Sequence, residues 1–243
     1  MPKQQKKLPP QERIKLLPSA INHPPPKIYN NSQGLRIVEP YYHIFQTFAK
    51  ERWLGRELLE VVSLEFRDRS RSYYKWAIES GVATINRVRA KPNSILRNGD
   101  LIENTVHAHE PPVVAELPHI IYKDNDKGWL VISKPGSIPV HAAGRYRKNT
   151  LLEILKDEYG LSGLYCCNRL DRLTSGVMVI GTKKEAGQLL GEAFMKGTIR
   201  KEYLAKCHGK LPDGKIIVDE PIITVDRQMG LVIRHPEGKV SIK

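Results

Sequence analysis

Residues 168–181 read NRLDRLTSGVMVIG, and this stretch decides how the rest of the chain is interpreted. Asp171 lies between two arginines, Arg169 and Arg172, and a Thr-Ser-Gly turn leads from it into an apolar run. A short apolar run that follows a turn predicts a buried strand, so Asp171 is expected on the loop before that strand. Rigid scaffolds present reactive side chains on such loops.

Two interpretations of this carboxylate are open. Flanking positive charge favours the ionised form, which prepares a nucleophile or a base rather than an acid. The alternative is an ordinary turn aspartate that pairs with surface arginines. No second acidic motif accompanies Asp171 in this segment, whereas ordinary glycoside hydrolysis needs two carboxylates. A single aspartate in a basic, cofactor-free setting fits covalent attack with an isomer as the product, because no water then needs activation.

The composition is typical of a soluble globular protein with a basic excess. The 243 residues are enough for two compact units or for one large unit with an extension. No apolar run reaches the roughly 18 residues of a membrane span. Thirty-nine Lys and Arg against 26 Asp and Glu give a formal charge of +13. This charge predicts a polyanionic partner, with nucleic acid first and a merely basic surface as the alternative.

The cysteines bear on the cellular compartment, and the histidines bear on whether the chain has a metal site. Three cysteines form neither a disulfide framework nor a C-x-x-C pair, which predicts a reducing compartment. We therefore expect an intracellular protein, in the cytoplasm first, with the nucleus and the mitochondrion as alternatives. His107 and His109 have no partner at ligand spacing, so we expect no metal site.

Four consecutive regions are predicted. Residues 1–50 are rich in Lys, Gln and Pro, which indicates a basic extended or disordered arm. Residues 53–109 carry two helical periodicities, the second closed by Gly81, and then a small hairpin. Three prolines within residues 110–118 predict a linker. The strand-rich remainder, residues 119–243, forms the larger unit.

Two further stretches of the larger unit are predicted to be strands. LYCCN, residues 164–168, precedes the motif. TIRKEYLAKCHG, residues 198–209, alternates with the period of a strand and places Lys201 and Tyr203 on one face. A strand face with a lysine and a tyrosine is typical of a cleft wall rather than of a core.

Two basic segments are candidates for RNA contact. RDRSRSYYKW, residues 67–76, interleaves basic side chains with aromatic ones, and a later loop carries Arg145 and Arg147. Arginine binds phosphate and aromatic rings stack on bases. Arg71, Lys75, Arg145 and Arg147 are therefore the predicted RNA-binding residues. The alternative for the first segment is a solvated helix with buried aromatic side chains.

The opening motif resembles the His-Arg-Leu-Asp-Arg-x-Thr-Ser-Gly signature of the RluA family of RNA pseudouridine synthases, and the resemblance makes Asp171 the catalytic residue. LVISKPGSIPVHAAG is similar to the family's Lys-Pro-x-Gly-x-x-Val-His segment, although Ser137 and Ile138 depart from its usual glycine pattern. KEYLAKCHGKLP resembles the family's Lys-x-Tyr-x-Ala strand. This last likeness implies that Tyr203 packs against the target uracil, with Lys201 beside it.

The segment before the linker resembles an S4-type RNA-binding domain, through the landmarks Ser70, Arg71, Gly81, Asn86, Gly99 and Asp100. NTVHAHEPPV and SIPVHAAGRYRKNT further resemble the eukaryotic subgroup that modifies position 32 of tRNA. The implied fold class is α+β. A small S4-like αβ domain is followed by a pseudouridine synthase catalytic domain built on a mostly antiparallel mixed sheet.

The resemblance also implies a mechanism. The target nucleotide is flipped out of its stack, Tyr203 receives the base, and Asp171 attacks the nucleotide while the glycosidic bond breaks. The freed uracil turns and rejoins through carbon 5. Arg169 and Arg172 are expected to face the RNA. No metal or other cofactor is implied, and the expected partner is RNA, tRNA in particular, bound by a monomer.

Two departures from the family pattern matter. Asn168 replaces the signature's histidine; it can form hydrogen bonds but cannot titrate, which indicates a role in ordering the loop. The family's later motif, Gly-Arg-x-His-Gln-Ile-Arg, does not occur in the chain. Its absence predicts a catalytic domain that is truncated at the C-terminus and has an unpaired sheet edge. The alternatives are therefore a catalytically inactive RNA-binding protein and, as a weaker class, a nucleoside glycosidase that releases uracil.

Overall fold

The computed structural model describes residues 24–66, 69–226 and 230–240, and the chain divides into two compact units. The first unit contains the described residues up to 118 together with 134–160 and 171–175, and the second contains the rest. The units are thus interleaved along the chain, whereas the sequence analysis placed consecutive domains on either side of a linker. No helix within the described ranges is long and apolar enough to cross a membrane.

The first unit combines antiparallel strands with helices. In chain order its elements are β1 (Ile28–Asn30), β2 (Leu35–Val38), β3 (Tyr41–Phe48), a 3-10 helix (Glu51–Trp53), α1 (Leu58–Glu65), α2 (Arg71–Ser80), β4 (Ala83–Ile85), β5 (Val88–Arg89), β6 (Leu101–Ala108), β7 (Val113–Val114) and α3 (Leu151–Tyr159). One sheet has the strand order β3-β6-β4-β5 and another β1-β2-β7. Their strand pairs are antiparallel.

The core of the first unit forms between its two neighbouring helices and the larger sheet. Its buried side chains come from α1, α2, β4 and β6 and include Leu58, Val61, Val62, Tyr74, Ala77, Ile78, Ala83 and Ile102. The hydroxyl of Ser70 accepts a hydrogen bond from the amide of Tyr73 and caps α2. Gly81, at φ +83°, ends the same helix in the left-handed conformation that the sequence predicted.

Two expectations for this region were wrong. Of the arm predicted for residues 1–50, residues 1–23 lie outside the described residues, and the rest contains three strands, of which β3 pairs with β6 along its whole length. The sequence YYHIFQTF of β3 is rich in aromatic and β-branched residues, which favour strands. The prediction of an arm rested instead on the Pro- and Lys-rich residues before it. The first helix begins at Leu58 rather than near Trp53. Gly55 lies at φ +77°, a conformation that a right-handed helix cannot contain.

The second unit is built on two small sheets. Its elements are β8 (His119–Asp124), β9 (Trp129–Lys134), β10 (Gly176–Gly181), α4 (Lys184–Met195), β11 (Pro221–Asp226), β12 (Leu231–Arg234) and β13 (Lys239–Val240). The strand orders are β10-β9-β8 and β12-β11-β13. The core consists of alternate residues of β9 and β10 and one face of α4, namely Leu130, Ile132, Met178, Ile180, Ala186 and Leu190. Both units are therefore α+β, and the strand predicted after the opening motif is confirmed as β10.

Two predicted strands of the second unit do not form as expected. Residues 164–168 contribute a single bridge, between Tyr165 and Gly181. Residues 198–220 contain neither helix nor strand, and the side chain of Leu204 is fully exposed. Alternation predicts a strand only where a neighbouring strand satisfies its backbone hydrogen bonds. Both faces of 198–209 also carry charged side chains, so neither face gains much free energy from burial.

Two glycines on α4 provide a matched test of how closely that helix approaches its neighbours. A Cβ atom added to Gly187 would lie 2.6 Å from the Cβ of Tyr165, whereas one added to Gly191 would meet the Sγ of Cys167 at an ordinary 3.8 Å. We expect Gly187→Ala to lower the free energy of unfolding by about 1 to 3 kcal/mol, because the added carbon overpacks the site. Gly191→Ala should be neutral or stabilise by up to about 1 kcal/mol.

Urea unfolding followed by circular dichroism measures both effects. Equal losses of stability for the two variants would contradict the close approach of α4 to Tyr165.

Candidate active site

Asp171 lies on an exposed turn directly before β10. The amide of Thr174 donates a hydrogen bond to the backbone carbonyl of Asp171 at 3.1 Å and closes the turn. A Cβ atom at Gly136 would lie 3.3 Å from the carbonyl oxygen of Leu173, a tight contact that glycine avoids where the 134–140 loop approaches the turn. The Asp171 carboxylate forms no ion pair within the described residues.

Lys134 supports this turn from inside the protein. Its side chain is fully buried, and its ammonium group donates to the carbonyls of Pro135 and Ile138, both at 2.8 Å, and to the carbonyl of Arg172 at 3.5 Å. Burial lowers the pKa of Lys134 to about 8, while the negative charge of Asp171 acts in the opposite direction. The ammonium group has three N–H donors, and these three carbonyls provide one acceptor for each of them. They also join the 134–138 loop to the residue that follows Asp171.

Ser137 explains the departure from the family's glycine pattern. It stands at the glycine of the Lys-Pro-x-Gly segment and has φ +64°, a left-handed conformation that glycine adopts at little cost. Its hydroxyl accepts a hydrogen bond from the amide of Val114 at 2.9 Å. This bond offsets part of the cost of about 1 kcal/mol or more for a side chain in that conformation.

A second loop, residues 141–149, lies beside the turn within the same unit. The guanidinium of Arg172 is 5.8 Å from the centre of the Tyr146 ring, a cation–π distance. Glu110 holds the end of this loop, because its buried carboxylate accepts hydrogen bonds from the amides of Arg147, Lys148 and Asn149 at 2.8–2.9 Å. The hydroxyl of Tyr41 donates to the same carboxylate at 2.6 Å.

The four predicted RNA-binding residues all lie in the first unit. Arg145 and Arg147, carried by the 141–149 loop, line two clefts against β3 and β6. Arg71 and Lys75 lie on exposed positions of α2 and do not line these clefts. Lys75 is 4.0 Å from Glu79, one helical turn away, which offsets part of its charge.

The predicted substrate-binding residues are divided between the units. Arg172 belongs to the first unit with Asp171, while Arg169, Lys201 and Tyr203 belong to the second. Lys201 and Tyr203 are exposed on the irregular segment 198–220. Their contact with the target uracil stays a prediction.

Clusters of three His, Cys, Asp or Glu side chains placed to hold a metal do not occur among the described residues. His107 and His109 instead contact each other, with 2.9 Å between Nδ1 of the first and Nε2 of the second.

Comparison with known proteins gives a family match for part of the chain. Residues 128–237, which contain the Lys134 loop, the Asp171 turn and the segment of Tyr203, match the model of the RNA pseudouridylate synthase family. The matched residues 128–237 include the three motifs by which the sequence resembles the RluA family.

Curated relatives of the synthase family align over most of this chain. The mouse protein named pseudouridylate synthase RPUSD2 is 44% identical over 207 residues, which are 85% of this chain and 37% of that protein. The mitochondrial tRNA pseudouridine(32) synthase of Saccharomyces cerevisiae is 41% identical over 81% of this chain and 42% of its own length. The tRNA pseudouridine(31) synthase of the same yeast is 36% identical over 76% and 50%. The chain thus spans half or less of the length of these synthases.

The sequence reasoning missed three residues that build this candidate site. Glu110 was assigned to a linker, and Lys134 and Gly136 were used only to recognise a motif. Their roles depend on contacts with residues 37 to 39 positions away. A largely apolar strand that ends in a lysine, LVISK, was the available signal that this cation could be buried.

The buried ammonium group can be tested with a matched pair of lysines. Lys134→Met leaves the carbonyls of Pro135 and Ile138 without their donor, and an unsatisfied buried acceptor costs about 1 to 3 kcal/mol. Lys183 also donates to a backbone carbonyl, that of Asp126 at 3.0 Å, but at an exposed position. Thermal unfolding of Lys183→Met should therefore match that of the parent, while Lys134→Met unfolds at a lower temperature.

The pH dependence separates this role from a general loss of packing. Because folding lowers the pKa of Lys134 from 10.5 to about 8, the unfolded chain binds more protons than the folded chain between these values. The contribution of Lys134 to stability should therefore rise with pH across this window. A stability difference between parent and Lys134→Met that does not change between pH 8 and pH 10 would contradict the buried cation.

Proposed function

We propose that this chain isomerises a uridine in RNA to pseudouridine, with Asp171 as the catalytic carboxylate. The family match over residues 128–237 carries the proposal. The exposed Asp171 side chain, on a turn fixed by Lys134 and Gly136, fits a group that must reach a substrate. The formal charge of +13 fits an RNA substrate.

The chemistry needs no external reactant. The bond between the ribose and nitrogen 1 of uracil breaks, the base turns, and a bond forms between the ribose and carbon 5. The hydrogen lost from carbon 5 balances the one gained at nitrogen 1, so substrate and product are isomers. A carboxylate that attacks the nucleotide and is later released is regenerated in each cycle. The assignment of Tyr203 to the flipped uracil, and of Arg169, Arg172 and Lys201 to its surroundings, belongs to this proposal.

The first unit has the properties of an RNA-binding region. We assign residues 53–109 to an S4-like domain and residues 119–243 to the catalytic domain, while residues 110–118, predicted as a linker, contribute β7 and Glu110 to the first unit. The succession of α1, α2 and the β4–β6 strands supports the S4-like assignment. Because β3 pairs with β6 throughout, the RNA-binding region extends back to Tyr41. Arg71, Lys75, Arg145 and Arg147 are its proposed RNA contacts.

A matched pair of aspartates tests the catalytic proposal. Asp171→Asn removes the negative charge without changing the side-chain volume, so we expect no measurable pseudouridine in an unmodified tRNA transcript. Asp126→Asn, on the exposed turn between β8 and β9, should keep the parent activity. Mass spectrometry of the digested transcript detects the product, and filter binding shows whether Asp171→Asn still binds the RNA.

Three outcomes would contradict the catalytic proposal. Pseudouridine formation by Asp171→Asn would exclude Asp171 as the catalytic residue. Release of free uracil would instead indicate a nucleoside glycosidase. RNA binding without pseudouridine formation by the parent chain would support a non-catalytic RNA-binding protein.

The target position is a second element of the proposal. The names of two yeast relatives specify positions 32 and 31 of tRNA, and the relative named for position 32 has the higher identity to this chain. We therefore infer tRNA as the substrate and position 32 as the target, acted on by a monomer inside the cell, in the cytoplasm, nucleus or mitochondrion.

Transcripts with single substitutions test this inference. Replacing the uridine at position 32 by cytidine should abolish modification, while the same change at position 31 should leave it unaltered. The reverse pattern, measured by primer extension after carbodiimide treatment, would assign the chain to position 31.

A further inference from the structure

Two adjoining clefts lie on the first unit, where one face of β3 and β6 meets the 141–149 loop. Their volumes are about 420 and 450 Å³. Both are lined by Phe45, Arg69, Val106, Gly144, Arg145 and Arg147. We call the pair the double cleft. Pockets of this size accept ligands as large as a nucleotide.

The two halves of the double cleft differ in chemistry. The first half is lined mainly by apolar and aromatic side chains, including Val62, Phe66, Tyr73 and Ile102. The second half adds the imidazoles of His43, His107 and His109 to the shared arginines. An apolar aromatic compartment beside a basic one matches a nucleobase and its phosphate, because bases stack on aromatic rings and phosphate binds arginine.

The side chains of the double cleft are held in place by one another. The guanidinium of Arg147 lies 4.8 Å from the centre of the Phe45 ring, and His43 contacts that ring edge-on at 4.6 Å. Arg145 donates to the backbone carbonyl of His109 at 3.2 Å, and Arg147 to that of Tyr146 at 2.7 Å. Phe45 nevertheless remains 39% exposed. The cleft therefore presents an ordered and accessible aromatic surface.

Arg145 and Arg147 supply positive charge to the double cleft. No carboxylate occurs among the described residues that line it. In the described parts of the chain, Arg145 and Arg147 form hydrogen bonds to carbonyl groups but no ion pairs with carboxylates. The nearby carboxylate of Glu110 binds backbone amides of the loop instead. An anion is the ligand that such a site favours.

We propose that the double cleft binds one unstacked nucleotide of the substrate RNA, other than the uridine that reacts at Asp171. The base of this nucleotide packs against Phe45 and Tyr73, and its phosphate lies at Arg145 and Arg147. The proposal rests on the proposed function in taking RNA as the substrate. Beyond that function, the proposal assigns a positioning role to the double cleft, because the bound second nucleotide holds the RNA in place on the first unit.

Substitutions at Phe45 test the stacking contact. Binding is measured by fluorescence anisotropy with fluorescein-labelled decauridylate and with an unmodified tRNA transcript. Phe45→Ala should weaken both affinities about tenfold and leave the salt dependence of binding unchanged. Phe45→Trp, which retains an aromatic ring, should bind as the parent does. Phe48→Ala is the matched control, since Phe48 lies on the same strand, is 65% exposed and does not line the double cleft.

Substitutions of the arginines test the phosphate contact. Arg145→Gln and Arg147→Gln should each weaken tRNA binding and lower the slope of log affinity against log salt by up to about 1. Arg97→Gln, an exposed arginine of the same unit outside the double cleft, should change neither quantity. Circular dichroism and thermal unfolding of each variant confirm that it is folded.

The outcomes separate this inference from the proposed function. If the parent forms pseudouridine but Phe45→Ala and both arginine variants bind RNA within twofold of the parent, the nucleotide site is wrong and the proposed function stands. If the parent forms no pseudouridine but its RNA affinity depends on Phe45 and not on Phe48, the nucleotide site stands and the proposed function fails. Equal losses for Phe45→Ala and Phe48→Ala, or no RNA binding by the folded parent, would also overturn the nucleotide site.

Discussion

The buried carboxylate of Glu110 accepts four hydrogen bonds, one from the hydroxyl of Tyr41 and three from consecutive amides of the 141–149 loop. A carboxylate in the interior is stable only when such donors replace its hydration. The same bonds fix the backbone that carries Arg145 and Arg147 over β3 and β6. They also fix the neighbourhood of Tyr146, which contacts Arg172. The geometry of the double cleft therefore depends on one acidic residue just beyond the end of β6.

A buried cation has the corresponding role at the Asp171 turn. The ammonium group of Lys134 is satisfied by backbone carbonyls, and one of these belongs to the residue after Asp171. In both places an ionised side chain organises a loop by binding its backbone rather than an opposite charge. Asp171 and the loop arginines are consequently left to face solvent, and they can interact with a substrate. Gly136 and Ser137 complete the arrangement, because the first allows close approach and the second adopts a left-handed conformation.

Local patterns predicted the elements whose stabilising contacts are near in sequence. The end of α2 at Gly81 and strand β10 both follow from residues a few positions apart. Predictions failed where a distant partner decides the outcome. The strand β3 forms because β6, some 60 residues later, supplies its hydrogen bonds. The 198–209 segment alternates as well, yet its backbone forms no ladder in the structure.

The sequence by itself determined the motif around Asp171, the likeness to RNA pseudouridine synthases, the positive charge and the two helical periodicities of residues 53–109. Each of these depends on residue identity or on short spacings, which the chain displays without folding. Only the tertiary structure decided that Glu110 anchors a loop, that Lys134 is buried beneath the Asp171 turn, and that Phe45, Tyr73 and the loop arginines surround the same clefts. The physical reason is that burial and hydrogen-bond partnership are properties of the folded chain. A carboxylate or an ammonium group acts as a structural anchor only when distant backbone replaces the water around it.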